Sequence, residues 1–376
     1  MLKQVTPEKG IYIIWLSVAL SLCWPLSINS TRKQIVCMKI LQIGAIISAF
    51  MIFLPLIYTI YLNLDNLNMF FKCICLLMGI FQHIVQTITC FIKYDTLQRV
   101  VEEMMICIKE MQLYEIMCVY VAKCNVFYGG TIILIYTTAT IFILGPTFLP
   151  ITFPWETEYP FQVNYTSRNL IIYIHQFFFT YQCAAHICVS MFVALLLWFT
   201  SARFECLVKE LQKTTNIEML IVCLKKQLLL RRYAEDVVNC IRFIIFYTMV
   251  LSTIVLTLSG IILITTSSLL VKIQFLTICV SILLEIYMYA WPADHMYDMN
   301  ETCRMRSFYF LHILLSFHLQ RFSITVLRSV YDSIWYDQTL NMQKLVLTTL
   351  IYQKPITISI NVVLPQLTLH YYCLVR

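Results

Sequence analysis

Seven stretches of this chain, approximately residues 40–62, 69–92, 126–149, 170–199, 241–265, 275–291 and 356–376, are each apolar over close to the length needed to cross a bilayer. A helix needs about 20 such residues to span roughly 30 Å of hydrocarbon. The chain as a whole is 60% apolar and 12% charged, against roughly 25% charged in an ordinary soluble domain. A water-soluble fold has no interior large enough to hide that surface, so the expectation is an all-α, integral membrane protein of a single domain over residues 1–376. The fourth stretch exceeds the thickness of hydrocarbon and should tilt or project from it.

A further apolar run, residues 11–24, follows Lys3 and Lys9 in the manner of a secretory leader. It is too short to span, and Ser21-Leu22-Cys23-Trp24-Pro25 is a poor cleavage site. We read it as a re-entrant or interfacial piece within a short cytoplasmic N-terminal segment, residues 1–39.

Orientation follows from the basic residues, because short cytoplasmic loops carry the excess of Lys and Arg. One set of connections holds Lys3, Lys9, Arg32, Lys33 and Lys39, then Lys93, Arg99, Lys109 and Lys123, then Arg203 through Arg242, then Arg304, Arg306, Arg321 and Arg328. The alternating set holds Arg168 and Lys272. The N-terminus is therefore placed in the cytoplasm and seven crossings bring the C-terminus outside. Of three glycosylation sequons, only Asn164-Tyr165-Thr166 falls in an outer loop; Asn29 and Asn300 fall inside and should be silent. This orientation opposes that of G-protein-coupled receptors. Their helix-end signatures, an acidic-Arg-Tyr triplet after the third span and Asn-Pro-x-x-Tyr in the last, are also missing.

The chemistry visible along the chain is sparse. Most of the 16 cysteines fall in apolar stretches and read as buried thiols, with no spacing that suits zinc. The +7 charge sits in loops without interleaved aromatics, which argues against nucleic acid as a partner. His83, His175 and His186 stand singly in spans, and no catalytic arrangement accompanies them. Neither an enzyme nor a cofactor is expected. Glu285 is costly at its depth unless it faces protein or water, and Tyr289, one turn on, is a natural partner.

Two features suggest binding and assembly. Phe204, Leu207 and Leu211 recur opposite Lys209, Glu210 and Lys213, and residues 217–239 repeat the device with Leu220, Leu224 and Val238. Such amphipathic helices continuing the spans imply a cytoplasmic helical layer, about 200–240 and 294–350, with the character of a subunit interface. The outer halves of the spans carry Phe70 and Phe71, Tyr136, Thr140 and Ile143, and Tyr173, Phe177, Phe178 and Tyr181. At helical spacing Tyr136, Thr140 and Ile143 share one face, and Tyr173, Phe177 and Tyr181 another. Apolar walls with a few polar groups suit a small apolar ligand, while ordinary helix packing produces the same stripe.

The segment from Glu285 to Gln353 carries a resemblance. Tyr287-Met288-Tyr289-Ala290-Trp291-Pro292-Ala293-Asp294-His295-Met296, Val330-Tyr331-Asp332-Ser333-Ile334-Trp335-Tyr336-Asp337, Gln343-Lys344 and Gln353-Lys354-Pro355 resemble the C-terminal signature of insect odorant receptors. Trp24-Pro25, Glu158-Tyr159-Pro160-Phe161 and the inverted seven-span topology agree. The resemblance implies an odorant-gated, non-selective cation channel, in which this subunit joins an obligate co-receptor (Orco) in a heterotetramer in the plasma membrane of olfactory sensory neurons. It implies ligand binding by a small apolar odorant at Phe70, Phe71, Tyr136, Thr140, Ile143, Tyr173, Phe177 and Tyr181. It also implies pore lining by Ile358, Val362 and Val363, and an interface around Tyr331, Trp335, Tyr336, Asp337, Gln343, Lys344, Lys354 and Pro355.

Two departures accompany it. An apparent insertion covers about residues 301–322, and the seventh span stops at Arg376, about a dozen residues short of the family's tail; both are expected to be gene-model errors. Its run 307–318 is too short for an eighth crossing. A gustatory-type channel is the near alternative, although Gln366 to Tyr371 match its last-span motif poorly. A transporter is the other, and it should show repeats and broken helices with midplane charges.

Overall fold

The computed structural model describes residues 6–148, 152–161, 166–214, 217–265 and 269–319. Among them the regular elements are helical: α1 (Pro7–Val18), α2 (Arg32–Leu62), α3 (Leu67–Ile92), α4 (Tyr94–Cys107), α5 (Met111–Phe148), α6 (Thr166–Ile187), α7 (Val189–Gln212), α8 (Ile217–Thr265) and α9 (Leu269–Leu319). Six candidate spans lie among the described residues, and each overlaps one of the first six apolar stretches. The protein is a multi-pass membrane protein. The seventh stretch lies outside the described residues.

Local chemistry sets the ends of the elements. Pro7 opens α1, where its missing N–H costs nothing. Thr31 and Gln34 form a capping box at α2: the Thr31 hydroxyl accepts from the Gln34 N–H, and the Gln34 side chain accepts from the Thr31 N–H at 2.8 Å. Asn66 caps α3 through the Met69 N–H.

The short apolar run forms a helix of 12 residues, too short to be among the candidate spans. Helix α1 runs into a 3-10 turn, Ala19–Ser21, around which Val18, Ser21 and Cys23 are buried while Tyr12, Leu16 and Leu20 stay exposed. Leu22 then takes a left-handed φ of 57°, and the buried Gln42 side chain of α2 donates to its carbonyl at 2.8 Å. The chain thus turns after α1 and folds back against α2. Tyr136 of α5 holds the end of α1 by donating to Ser17 O at 2.6 Å.

The long fourth stretch is two helices, α6 and α7, meeting at Cys188. Helix α7 is buried along nearly its whole length and forms the centre of the bundle, packed on α9, α8 and α5. Its inner end carries Phe204, Leu207 and Leu211, all buried. Helix α8 runs unbroken from its amphipathic start into the fifth span, burying Leu220 and Val238. Helix α4 completes this inner layer. Its buried Leu97, Val100, Val101 and Met104 follow the i, i+3, i+4, i+7 rule.

Arg203 ties the layer together. Its guanidinium pairs with Glu103 of α4 at 2.5 Å and lies over the Tyr233 ring of α8 at 4.7 Å. Arg99 with Asp236, and Lys226 with Glu210, add looser ties. Residues 301–319, within the apparent insertion, continue α9 as helix.

Candidate functional site

Helices α5 and α6 run antiparallel at the outer side, and their facing side chains meet in pairs. Thr140 Oγ1 and the Tyr181 hydroxyl lie 3.1 Å apart. Tyr173 donates to the Ile143 carbonyl at 3.0 Å. The rings of Tyr136 and Tyr181 stack at 6.3 Å, and Phe177 meets Tyr181 edge-on at 5.2 Å. Six of the eight candidate ligand residues therefore converge on one seam. Phe70 and Phe71 of α3 contact one another at 5.5 Å and are not tied to the seam by any recorded hydrogen bond or ring contact.

The seam is not a closed pocket. Ile143 is buried, Tyr136, Tyr173 and Tyr181 are half-buried, Thr140 is exposed and Phe177 is 36% exposed. Apolar walls and the facing hydroxyls of Thr140 and Tyr181 are the chemistry that orients a small ligand carrying one polar group.

Beside the seam lies a buried polar layer. The histidines do not stand singly: His83 of α3 and His186 of α6 meet ring against ring at 4.0 Å. His186 Nδ1 is 3.0 Å from Gln86 Oε1, and its Nε2 is 3.4 Å from Thr87 Oγ1. His175 reaches Ser48 of α2 at 2.9 Å. Glu285 also departs from expectation. It accepts from Gln82 Nε2 at 2.9 Å and Ser190 Oγ at 3.1 Å, joining α9 to α3 and α7. The Tyr289 hydroxyl is buried and makes no such bond. Across-bundle partners outcompete the neighbour one turn away because they satisfy the carboxylate and their own buried groups together.

The aromatic signature of α9 is internal packing. Trp291 stacks on Tyr287 at 5.7 Å and meets Trp198 edge-on at 5.2 Å, while Trp198 donates to the Tyr128 hydroxyl at 3.2 Å. The other signature residues, Tyr331, Trp335, Tyr336, Asp337, Gln343, Lys344, Lys354 and Pro355, lie outside the described residues, as do Ile358, Val362, Val363 and Asn164. No group of three or more metal-ligating side chains is present among the described residues.

One element near the seam escapes a reading by helical spacing. The outer-loop segment 152–161 folds inward, burying Phe153, Trp155 and Thr157. Trp155 donates from Nε1 to Thr180 Oγ1 at 2.9 Å, and its N–H donates to the Gln176 side chain at 3.2 Å. Its ring lies against Phe142 and Phe179. Lys72, a cation in the second turn of α3, pairs with Glu156 at 2.6 Å. A lysine inside an apolar stretch implies a partner, and that was the available signal.

No sequence-family model matches this chain, and no curated protein sequence matches it. Its fold is nevertheless similar to solved structures. The insect olfactory receptor OR5 from Machilis hrabei superposes with a TM-score of 0.67 at 15% identity, covering 97% of this chain and 94% of that one. The same receptor in complex with eugenol gives 0.71 at 14% identity with the same coverage. The chain has an insect odorant receptor-like fold.

Proposed function

We propose that this chain is the ligand-binding subunit of an odorant-gated, non-selective cation channel, assembled as a heterotetramer with a co-receptor in the plasma membrane of olfactory sensory neurons. The observation that carries the reading is the likeness of fold over 97% of the chain to a receptor whose structure has also been solved with eugenol. The α5–α6 seam supports it with suitable chemistry. Thr140 and Tyr181 supply facing hydroxyls among apolar walls, so the ligand class is a small, neutral, largely apolar molecule with one hydrogen-bonding group.

Gating would then be differential binding. A ligand that fits the open channel's seam about tenfold better than the closed one's moves the equilibrium by about tenfold and no further. Co-expression with a co-receptor, with current recorded over an odorant panel, tests the reading. Ligand-evoked current that requires both subunits is expected. Current that persists without the co-receptor, or a second-messenger response in its place, refutes it.

A further inference from the structure

The segment 152–161 is held by three kinds of tie to four helices. Trp155 is wedged between Phe142 of α5, at 5.7 Å, and Phe179 of α6, at 5.4 Å, and bonded to Thr180. Gln176 of α6 donates to Thr157 and Tyr159 at 2.9 and 3.2 Å. The Glu158 N–H donates to Thr59 of α2 at 2.7 Å, and Lys72 of α3 holds Glu156 at 2.6 Å. Between these anchors Glu156 has a φ of 49°, a left-handed conformation that a non-glycine residue adopts at a cost. A strained turn is therefore kept in place by these ties, one of which is an ion pair whose members are only 21% and 20% exposed.

The position of the wedge gives this arrangement a role. Phe142 and Thr180 immediately adjoin Ile143 and Tyr181 in sequence, so Trp155 packs against the same two helices that form the seam. Beneath it, Ile52, Leu56, Cys73 and Ile80 are buried with it in one apolar cluster. Trp155 is thus part of what buries that cluster.

We propose that residues 153–159 form an outer gate, latched by the Lys72–Glu156 ion pair, that controls passage from the extracellular solution to the α5–α6 seam. The role of the gate in ligand access rests on the receptor reading above; the latch does not. Partly buried ion pairs of this kind hold an equilibrium by modest amounts, so breaking the pair should raise the open fraction by about 2- to 5-fold.

Cys73 supplies a readout independent of any odorant, because it adjoins Lys72 and is 1% exposed beneath the wedge. Intact cells carrying the full chain with the co-receptor are treated with a membrane-impermeant cationic methanethiosulfonate, and Cys73→Ser identifies the signal from that thiol. Lys72→Gln and Glu156→Gln should each speed labelling by about 2- to 5-fold. The two change local charge in opposite senses, so simple attraction of the reagent would drive them apart. The reversed pair, Lys72→Glu with Glu156→Lys, should restore protection, and its surface level shows that the chain still folds. Odorant-evoked current in the single variants should rise and decay faster by a similar factor.

Labelling that is unchanged in both single variants, or that moves in opposite directions, overturns the latch. So does a reversed pair that labels as fast as the singles. Faster labelling with unchanged current onset overturns the gate and points to access through the exposed side of the seam at Thr140 and Phe177. Absence of any odorant response in the unmodified chain, with the labelling pattern intact, refutes the receptor reading and leaves the latch standing.

Discussion

His83 and His186 touch, yet their surroundings differ. The His186 ring has Gln86 and Thr87 within hydrogen-bonding distance, whereas His83, fully buried, has no side-chain partner and only a poorly aligned contact with the Ala45 backbone. Replacing a poorly partnered buried polar group by an apolar group of similar shape is close to neutral, whereas removing one member of a satisfied pair strands the other. His83→Leu should therefore leave the melting temperature of the detergent-purified protein unchanged or raised. His186→Leu should destabilise by about 1–3 kcal/mol, because it strands the buried Gln86 side chain, while Thr87 keeps its bond to the His83 carbonyl. Equal losses in the two variants would show that His83 is held by a bond of its own.

Among the elements, the inner layer depends on Arg203 more than on any of its looser ion pairs. The guanidinium lies over Tyr233 and pairs with Glu103, and its fork is what lets one side chain join α4, α7 and α8. Arg203→Ala should cost about 1–3 kcal/mol in thermal unfolding, and Arg203→Lys should recover only part of it because an ammonium keeps the charge and loses the planar contact. Full recovery by lysine would reduce the site to a point charge. The elements also show how far the sequence could be read. Bilayer thickness fixes span length, so the six described spans were legible from apolar runs alone. Their inner ends were less so: α2 begins at Arg32 and α5 at Met111, where helix continues through polar residues that a count of apolar length omits. Helix α4 was legible in principle, since Leu97, Val100, Val101 and Met104 keep the helical period, but it is too short and too charged to register as a span. In the seam, spacing places Tyr136, Thr140 and Ile143 on one face. That Thr140 meets Tyr181, rather than a residue one turn away, depends on the register of two helices joined by the outer loop, which local pattern does not encode. The pairing of Lys72 with Glu156 joins residues 84 apart and is set by the same loop.

At the scale of the whole molecule, orientation is the property on which the rest depends. An epitope tag ahead of Met1 should be reached by antibody only after permeabilisation, and Asn164→Gln should abolish any endoglycosidase-sensitive mass shift while Asn29→Gln leaves it. A tag reachable on intact cells would invert the protein. Asn300 adds a check, since it lies within α9 and is 3% exposed, leaving no room for a sugar. Helix α8 has 49 residues and no internal proline, which makes it about 74 Å long. That is more than twice the thickness of the hydrocarbon it crosses. Its ring contact with α3, Tyr247 against Phe81 at 5.6 Å, falls 30 residues from the inner end. A stiff rod braced there behaves as a crowbar: a rocking of about 5° swings the cytoplasmic tip by roughly 4 Å. The outer arm, 18 residues from the brace to Thr265, is about 27 Å long, so a shift of about 2 Å at the outer end arrives inside as a displacement nearly the width of a side chain.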